Sequence, residues 1–182
     1  MNMDAQTLYA RLEKPFRPWL VGHDFEALDP WIEIQCAGLP EIGRYLRDQE
    51  DLKFDMLLCI TAVDYCSPES EKDPKKPAPF DGPDRLELVY HLLSTVHRHR
   101  LVLKTRLPRW NDRAPDRLPE APTVSDVWRT ADWHEREVFD LMGVRFVGHP
   151  DLRRILCPED WTGHPLRKDY EMPAEYHGIP TR

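Results

Sequence analysis

Residues 86 to 107 read LELVYHLLSTVHRHRLVLKTRL, and the fold turns on how they are read. Leu86 to Val96 is apolar on both alternating faces, as a strand buried on both sides would be. From Arg98 the pattern splits: Arg98, Arg100, Val102, Lys104 and Arg106 share one face, while Leu101, Leu103, Thr105 and Leu107 share the other. That alternation is a strand with one wet, basic face. Only a residue or two near His97 separates the two runs, so a tight hairpin is predicted. The basic face reads first as the solvated edge of a sheet, second as a docking surface for an acidic partner, and only distantly as a nucleic-acid contact.

Working outward, Phe54 to Val63 is apolar on both faces and is the candidate central strand. Trp31 to Cys36 alternates Trp31, Glu33 and Gln35 against Ile32, Ile34 and Cys36, as a half-buried strand does. Leu39 to Gln49 has helical spacing through Ile42 and Leu46, with Pro40 in the first turn. Asp4 to Lys14 carries Leu8 and Leu12 on one stripe and predicts a short amphipathic helix ended by Pro15 and Pro18. Helices before and between strands that pair as hairpins give an α+β fold: a mixed, mostly antiparallel sheet with helices on one face.

Composition bounds the function. The chain has 182 residues, 25 basic and 32 acidic, for a net charge of −7 that opposes general affinity for nucleic acid or anionic lipid. The middle is locally basic, with 8 basic and 5 acidic residues between 97 and 134. Cys36, Cys59, Cys66 and Cys157 form no CxxC pair and no zinc or iron-sulfur spacing, and four isolated thiols suit a reducing cytoplasm. The N-terminus lacks an apolar signal core, and the longest apolar stretch, Met56 to Val63, is far short of the roughly 20 residues a membrane helix needs. Membrane association is expected through partners.

Proline is abundant, with 18 residues, and it is distributed unevenly. Ser67 to Asp84 and Pro108 to Pro122 resist secondary structure, and the first reads as a solvated proline-rich loop at 67–84. Five prolines punctuate the last 33 residues. Three regions follow: an α+β core over 1–122, a charged helix region of the same domain over 123–147, and an extended, proline-spaced C-terminal docking arm over 148–182. Leu152, Ile155, Leu156, Trp161, Leu166, Tyr170 and Tyr176 are spaced apolar anchors of that arm, which cannot build a core alone and suits an ordered segment laid across its own domain or a neighbour.

The helix region carries the information. Capping signals at Thr123 and Asp126 open a helical turn, and Asp132 reads as the N-cap of a helix over about Trp133 to Met142 closed by a left-handed Gly143. Glu135 falls on the apolar stripe with Phe139 and Met142, so its carboxylate needs a partner. One reading turns it back to the Asp132 N–H as a capping-box acid. The other makes it a buried ion pair with Arg153, Arg154 or Arg167. Arg136 and Asp140, on the opposite face, are in isolation a surface i, i+4 pair. The string His134-Glu135-Arg136-Glu137 begins like a zinc-protease helix, but position 138 is Val138 where the second histidine belongs. GxGxxG, P-loop and GxSxG motifs are missing, and His149, His164 and His177 sit beside Pro or Gly in irregular chain.

The run WHEREVFDLMGVRFVGHPDLRRILCPEDWTGHPLRKDY, residues 133 to 170, closely resembles the signature of the C subunit of proton-pumping NADH:quinone oxidoreductase, respiratory complex I. Glu135, Arg136, Glu137, Asp140 and Gly143 meet its E-R-E-x-x-D-x-x-G helix. Phe146, Gly148, His149, Pro150, Leu152, Arg154, Ile155 and Leu156 meet its F-x-G-H-P-x-L-x-R-I-L run. Pro165, Leu166, Arg167, Lys168, Asp169 and Tyr170 meet P-L-R-K-D-Y. The match covers about the C-terminal quarter of the chain.

The resemblance implies a small α+β subunit of the peripheral arm, packed beside the quinone-pocket subunit (D type) and the one that carries the last iron-sulfur cluster (B type), in a hetero-oligomer without nucleic acid. It implies no catalytic residue and no cofactor on this chain, with NADH, FMN, iron-sulfur clusters and quinone held by other subunits. Function is then structural and assembly support for electron transfer from NADH to ubiquinone or another quinone, coupled to proton transport in a respiratory chain. The expected location is the cytoplasmic face of the inner cell membrane, peripheral through partners. Membrane-bound hydrogenases, a cofactor-F420-type dehydrogenase and the ferredoxin-dependent NDH complex use homologous subunits and form the alternative; an independent metal-dependent hydrolase built on the C-terminal His and Glu residues is the further rival.

Overall fold

The computed structural model describes residues 3–66, 84–109 and 117–181. Its main sheet has five strands in the order β1-β2-β5-β4-β3, with β1 at Leu20–Asp24, β2 at Trp31–Ile34, β3 at Met56–Tyr65, β4 at Arg85–Leu93 and β5 at Arg100–Pro108. Every pairing is antiparallel except β2 with β5, which is parallel. The fold is therefore the expected α+β architecture with a mixed, mostly antiparallel sheet. A parallel pair needs a crossover, and the long chain between β2 and β5 supplies it with helix α2 (Leu39–Asp48) and the β3–β4 hairpin.

Alternation decides which sheet face is buried. Leu86, Leu88, Tyr90 and Leu92 of β4, Leu101, Leu103 and Leu107 of β5, Ile32 and Ile34 of β2, and Leu57 and Ile60 of β3 join one core. The same core takes Leu8 and Leu12 from α1 (Ala5–Phe16), Leu39, Ile42 and Leu46 from α2, and Ala131, Val138 and Met142 from α3 (Ala131–Met142). All three helices thus pack on one face. Asp4 caps α1 by accepting from the Thr7 N–H at 2.8 Å. That helix runs through Pro15 rather than ending before it, since a proline in the last turn forfeits only its own N–H bond.

The structure reverses two strand assignments. The basic strand, expected at a sheet edge, is β5 in the interior; the run expected to be central is β3, at an edge. Lys104 and Arg106 can face outward from an interior strand because each flanking strand supplies a carboxylate. Arg106 Nη2 lies 2.8 Å from Glu33 on β2, and Lys104 Nζ lies 3.2 Å from Glu87 on β4 and 4.6 Å from the centre of the Trp31 ring. Two of the cations offered to an acidic partner are therefore answered within the sheet. Later chain covers part of edge strand β3, since α3 lies along it and Thr130 Oγ1 donates to the Leu57 carbonyl at 3.2 Å, but Met56, Leu58 and Val63 on its outer face stay 42, 38 and 39% exposed. An edge covered in this way is shielded from pairing with another chain.

The β4–β5 hairpin forms as predicted, with Leu93 opposite Arg100, but its connection runs from Ser94 to His99. Arg98 within it is left-handed, at φ 60°. Asp55 clamps the loop through the Thr95 N–H at 2.8 Å. Residues 67–83 of the proline-rich loop and 110–116 of the second proline-rich segment lie outside the described residues. The ends of that second segment are ordered as strand: β5 runs to Pro108, and β6 (Glu120–Pro122) pairs in parallel with β7 (Arg145–Val147). Beyond β7 the chain is irregular up to a small antiparallel hairpin, β8 (Glu175–Tyr176) with β9 (Ile179–Pro180).

Candidate functional site

The residues of the 133–170 signature gather around the two ends of α3. Thr130, not Asp132, stands at its N-cap, and Gly143 closes it at φ 65°. A helix leaves its last four carbonyls without intrahelical partners. Here each is satisfied by the chain that follows. The Gly143 N–H donates to Phe139 O at 3.0 Å and the Leu166 N–H to Leu141 O at 3.0 Å. Arg154 Nη1 donates to Asp140 O at 3.1 Å, His164 Nδ1 meets the same oxygen at 2.9 Å, and Arg167 Nε donates to Met142 O at 2.7 Å. Arg167 continues to Gly143 O at 2.9 Å. Cations also suit the negative end of the helix dipole. Gly143 has a second reason to be glycine, because a Cβ there would run into the His164 imidazole.

Asp140 organises the next turn. Its Oδ2 accepts the consecutive N–H groups of Ile155, Leu156 and Cys157 at 3.1, 2.8 and 2.8 Å, and its Oδ1 accepts Arg154 Nη1 at 2.6 Å. The residue is fully buried. Burial works against ionisation, but the N–H groups of Cys157 and Leu156, the Arg154 guanidinium and the Ile155 N–H outweigh it and hold the carboxyl below its usual range. Arg136 does not pair with Asp140. It is buried, its guanidinium lies 5.0 Å from the centre of the Trp133 ring, and its Nε donates to Arg153 O at 3.3 Å. The expected surface pair is thus replaced by a contact with the exposed Trp133 ring and one with the backbone of the segment 150–157, which covers that helix face.

Glu135 follows neither of its two readings. Its Oε2 accepts Thr123 Oγ1 at 2.5 Å and its Oε1 accepts the Val124 N–H at 2.7 Å. The capping-box geometry fails because the helix starts earlier, so Glu135 lies beyond its first turn and faces the core. Burial pushes its carboxyl up to about 7, against the Thr123 and Val124 hydrogen bonds, which lower it. Glu137 is exposed.

A second staple lies at Asp64, near the end of β3. Arg109 grips both Asp64 oxygens at 2.8 Å and both Asp169 oxygens at 3.1 and 2.8 Å. The Lys168 N–H adds a bond to Asp64 Oδ2 at 3.0 Å. Burial alone would lower Arg109; the two carboxylates overcome it and hold its pKa above the ordinary value. Nearby Arg167 is lowered to about 10 by burial and, second, by Arg109.

Of the remaining signature residues, Phe146 is buried on β7, His149 Nε2 meets Asp132 O at 3.1 Å, and Gly148 is left-handed at φ 88°. Leu152 packs against the core, Ile155 and Pro165 are half-buried, and Tyr170 leans on Gly163. Pro150 lines a surface groove with Pro40, Arg44, Thr123, Ser125 and Val147. Leu156 and Leu166 stay 63% and 60% exposed. Sequence reasoning missed Asp64, Arg109 and His164 as partners. A carboxylate within the apolar run of β3 was the available signal for Asp64; the pairing itself spans 105 positions from Asp64 to Asp169 and has no local trace.

The arrangement is a polar clasp. Its charged groups spend their hydrogen bonds on backbone and on each other. Among the described residues no three His, Cys, Asp or Glu side chains gather to hold a metal ion, and His149, His164 and His177 meet separate partners, Asp132, Asp140 and Asp160. No helix among them is long and apolar enough to cross a membrane.

Comparison with known proteins agrees with the signature. Residues 32–176 match the family model described as respiratory-chain NADH dehydrogenase, 30 Kd subunit. The chain is 44% identical over 177 residues to the NADH-quinone oxidoreductase C subunit of Chlorobium phaeobacteroides, covering 96% of this chain and 93% of that one. It is 42% identical over 139 residues to the C subunit of Chloroherpeton thalassium, covering 76% of this chain but only 48% of that one, about half its length. Among solved structures it is similar to a chain of the membrane-bound sulfane sulfur reductase, an archaeal respiratory membrane complex, with 26% identity, a TM-score of 0.65 and coverage of 93% and 86%.

Proposed function

The chain belongs to the family of 30 kDa subunits of respiratory-chain NADH dehydrogenase, the C subunits of NADH-quinone oxidoreductase, and from that premise we propose that it is a non-catalytic structural and assembly subunit of the quinone-module arm. Its complex transfers electrons from NADH to a quinone and pumps protons. The flavin, the iron-sulfur clusters and the quinone site belong to other subunits. The partners are the subunit that forms the quinone pocket and the one that carries the terminal iron-sulfur cluster, at the cytoplasmic face of the inner membrane.

One observation carries this reading. Arg136, Asp140, Arg154 and Arg167 of the signature are turned inward to hold the helix and the following segment together, while apolar side chains of that segment, Leu156, Leu166, Met172 and Ile179, are 63, 60, 43 and 67% exposed. An ordered segment that presents apolar anchors to water is suited to a permanent protein interface. A subunit that acts by holding others together needs this and no reactive group.

The test replaces Leu156 and Leu166 with Asp and measures both the amount of assembled complex and quinone reduction per assembled complex. Assembly is expected to fall, with turnover of the remaining complex unchanged. Normal assembly with a sharp loss of quinone reduction would remove the scaffold role. The likeness to a chain of the sulfane sulfur reductase complex favours one second reading, the equivalent subunit of a related membrane-bound complex. Identification of the chains that co-purify from the native membrane separates the two by the electron-input module recovered.

A further inference from the structure

We infer, on the docking reading just given, that the segment after β7 seats on a basic protein surface: lysine and arginine side chains of the partner rim the hollows that take Leu156, Met172 and Ile179, and they face Glu159, Glu171 and Glu175.

The carboxylates of the segment divide into two sets. Asp151 holds Arg153 at 2.8 Å, Asp160 accepts the Tyr176 hydroxyl at 2.9 Å and meets His177 Nε2 at 2.7 Å, and Asp169 is gripped by Arg109. Glu159, Glu171 and Glu175 are exposed, and their side chains form no hydrogen bond or ion pair among the described residues. Cations of the segment do not answer them. Arg154 is taken by Asp140, and Arg167 donates to the carbonyls of Met142 and Gly143. Arg153 lies within electrostatic reach of Glu159, but its Nε is bonded to Asp151. Only the exposed Lys168 ammonium, beside Leu166, has no carboxylate among the described residues. Three unanswered negative charges thus stand against one positive charge.

Each of the three carboxylates stands next to an exposed apolar side chain. Glu171 precedes Met172, Glu159 follows Leu156 by three positions, and Glu175 pairs with Pro180, the neighbour of Ile179 in β9. Apolar centres with a charged rim are the anatomy of a protein interface, and the sign of the rim selects the partner. Carboxylates are repelled by phosphate, which opposes anionic lipid headgroups and nucleic acid. A protein surface that carries lysine and arginine around apolar hollows complements both features.

The segment is also held in shape by its own contacts. Asp140 fixes the backbone at 155–157, and Leu166 N–H is bonded to Leu141 O. Farther on, the Trp161 and Tyr176 rings lie 5.0 Å apart, and left-handed His177 and Gly178, at φ 50° and 78°, close the β8–β9 hairpin as a two-residue turn requires. Asp160 ties that hairpin back to the turn before Trp161. Ordering a chain that buries little apolar surface costs entropy, and a surface already ordered loses less on binding.

The test is a competition in the native host, where the wild-type chain and a variant chain carry different affinity tags and are expressed equally. The variant combining Glu159→Lys, Glu171→Lys and Glu175→Lys is expected to be under-represented in the assembled membrane complex on the order of tenfold, and the triple Glu→Gln variant by about threefold. A control with Glu13→Lys and Glu26→Lys, exposed positions on α1 and after β1, adds charge of the same sign elsewhere and is expected to compete evenly. Urea unfolding of the purified chains checks that the variants fold; if the triple Lys variant does not, the triple Gln variant decides. Even or improved competition by the arm variants, or an equal disadvantage in the control, overturns the basic partner. The docking reading itself fails separately, when Leu156→Asp with Leu166→Asp leaves assembly normal.

Discussion

Asp140→Asn tests the clasp most directly, because it keeps the shape of the side chain and changes only its charge and donor pattern. In the folded chain one carboxylate oxygen faces three consecutive N–H donors and the other faces the Arg154 guanidinium. Asparagine cannot serve both. Whichever way its amide is turned, the NH2 group meets donors where an acceptor is needed. Arg154, with its side chain only 15% exposed, loses its ion-pair partner. Breaking a buried pair by removing one member costs about 3–5 kcal/mol, and an N–H left unsatisfied costs a further ~1–3 kcal/mol where water cannot reach it. Relaxation of the 154–157 turn toward solvent returns part of the second amount, so the expected loss is about 3–5 kcal/mol. For a chain of this size that corresponds to a fall in Tm of roughly 10 °C. The assay is urea unfolding of the wild type, Asp140→Asn, Arg154→Ala and the double variant. The cycle is expected to show strong coupling, since both singles break the same clasp. A loss below about 1 kcal/mol, with no coupling between positions 140 and 154, would show that the clasp contributes no more than a surface pair and would refute the reasoning.

Global stability should also follow Glu135. Its folded pKa of about 7 lies above the 4.5 of an ordinary glutamate, so folding favours the proton: this contribution is fully present below about pH 4.5 and is lost as pH rises through 7. The difference amounts to roughly 3 kcal/mol, and urea titrations from pH 5 to 8 should show Glu135→Gln losing less stability than the wild type over that range. Gly143→Ala places a side chain at φ 65° and against His164; it should cost at least the ~1–2 kcal/mol of a left-handed residue, read as a lower Tm. Asp64→Ala removes one of the two carboxylates that the buried Arg109 grips and frees the Lys168 N–H; it should cost about 1–3 kcal/mol and expose the bonds after Arg167 and Lys168 to trypsin, while unchanged digestion there would argue against the second staple.

The sequence reading succeeded where the cause is local. The period-two runs, the stripe of α2 and the left-handed Gly143 each depend on residues within a few positions. It failed for β3 and β5, which exchanged places as edge and centre. A run of alternating cations looks solvated when read alone, and an apolar run looks central; Glu33, Glu87 and α3 change both assignments only once they are adjacent in space. Glu135 shows the same limit. Its position on an apolar stripe shows that it needs a partner, and the near sequence offers its own helix and the later arginines. The partner is Thr123, whose local sequence signals only a helical cap.

The chain by itself determined the element types, the α+β class, the absence of the familiar nucleotide-binding motifs and the family signature, because periodicity, capping and motif spacing are written between near neighbours. Tertiary structure alone decided what the signature does in this molecule. Asp140 and Arg154 are 14 residues apart, Met142 and Arg167 are 25 apart, and Asp64 and Lys168 are 104 apart. Charges that are innocuous on a helical wheel become a clasp only when folding removes water from around them, which is the step that turns a weak surface pair into an interaction the fold cannot lose.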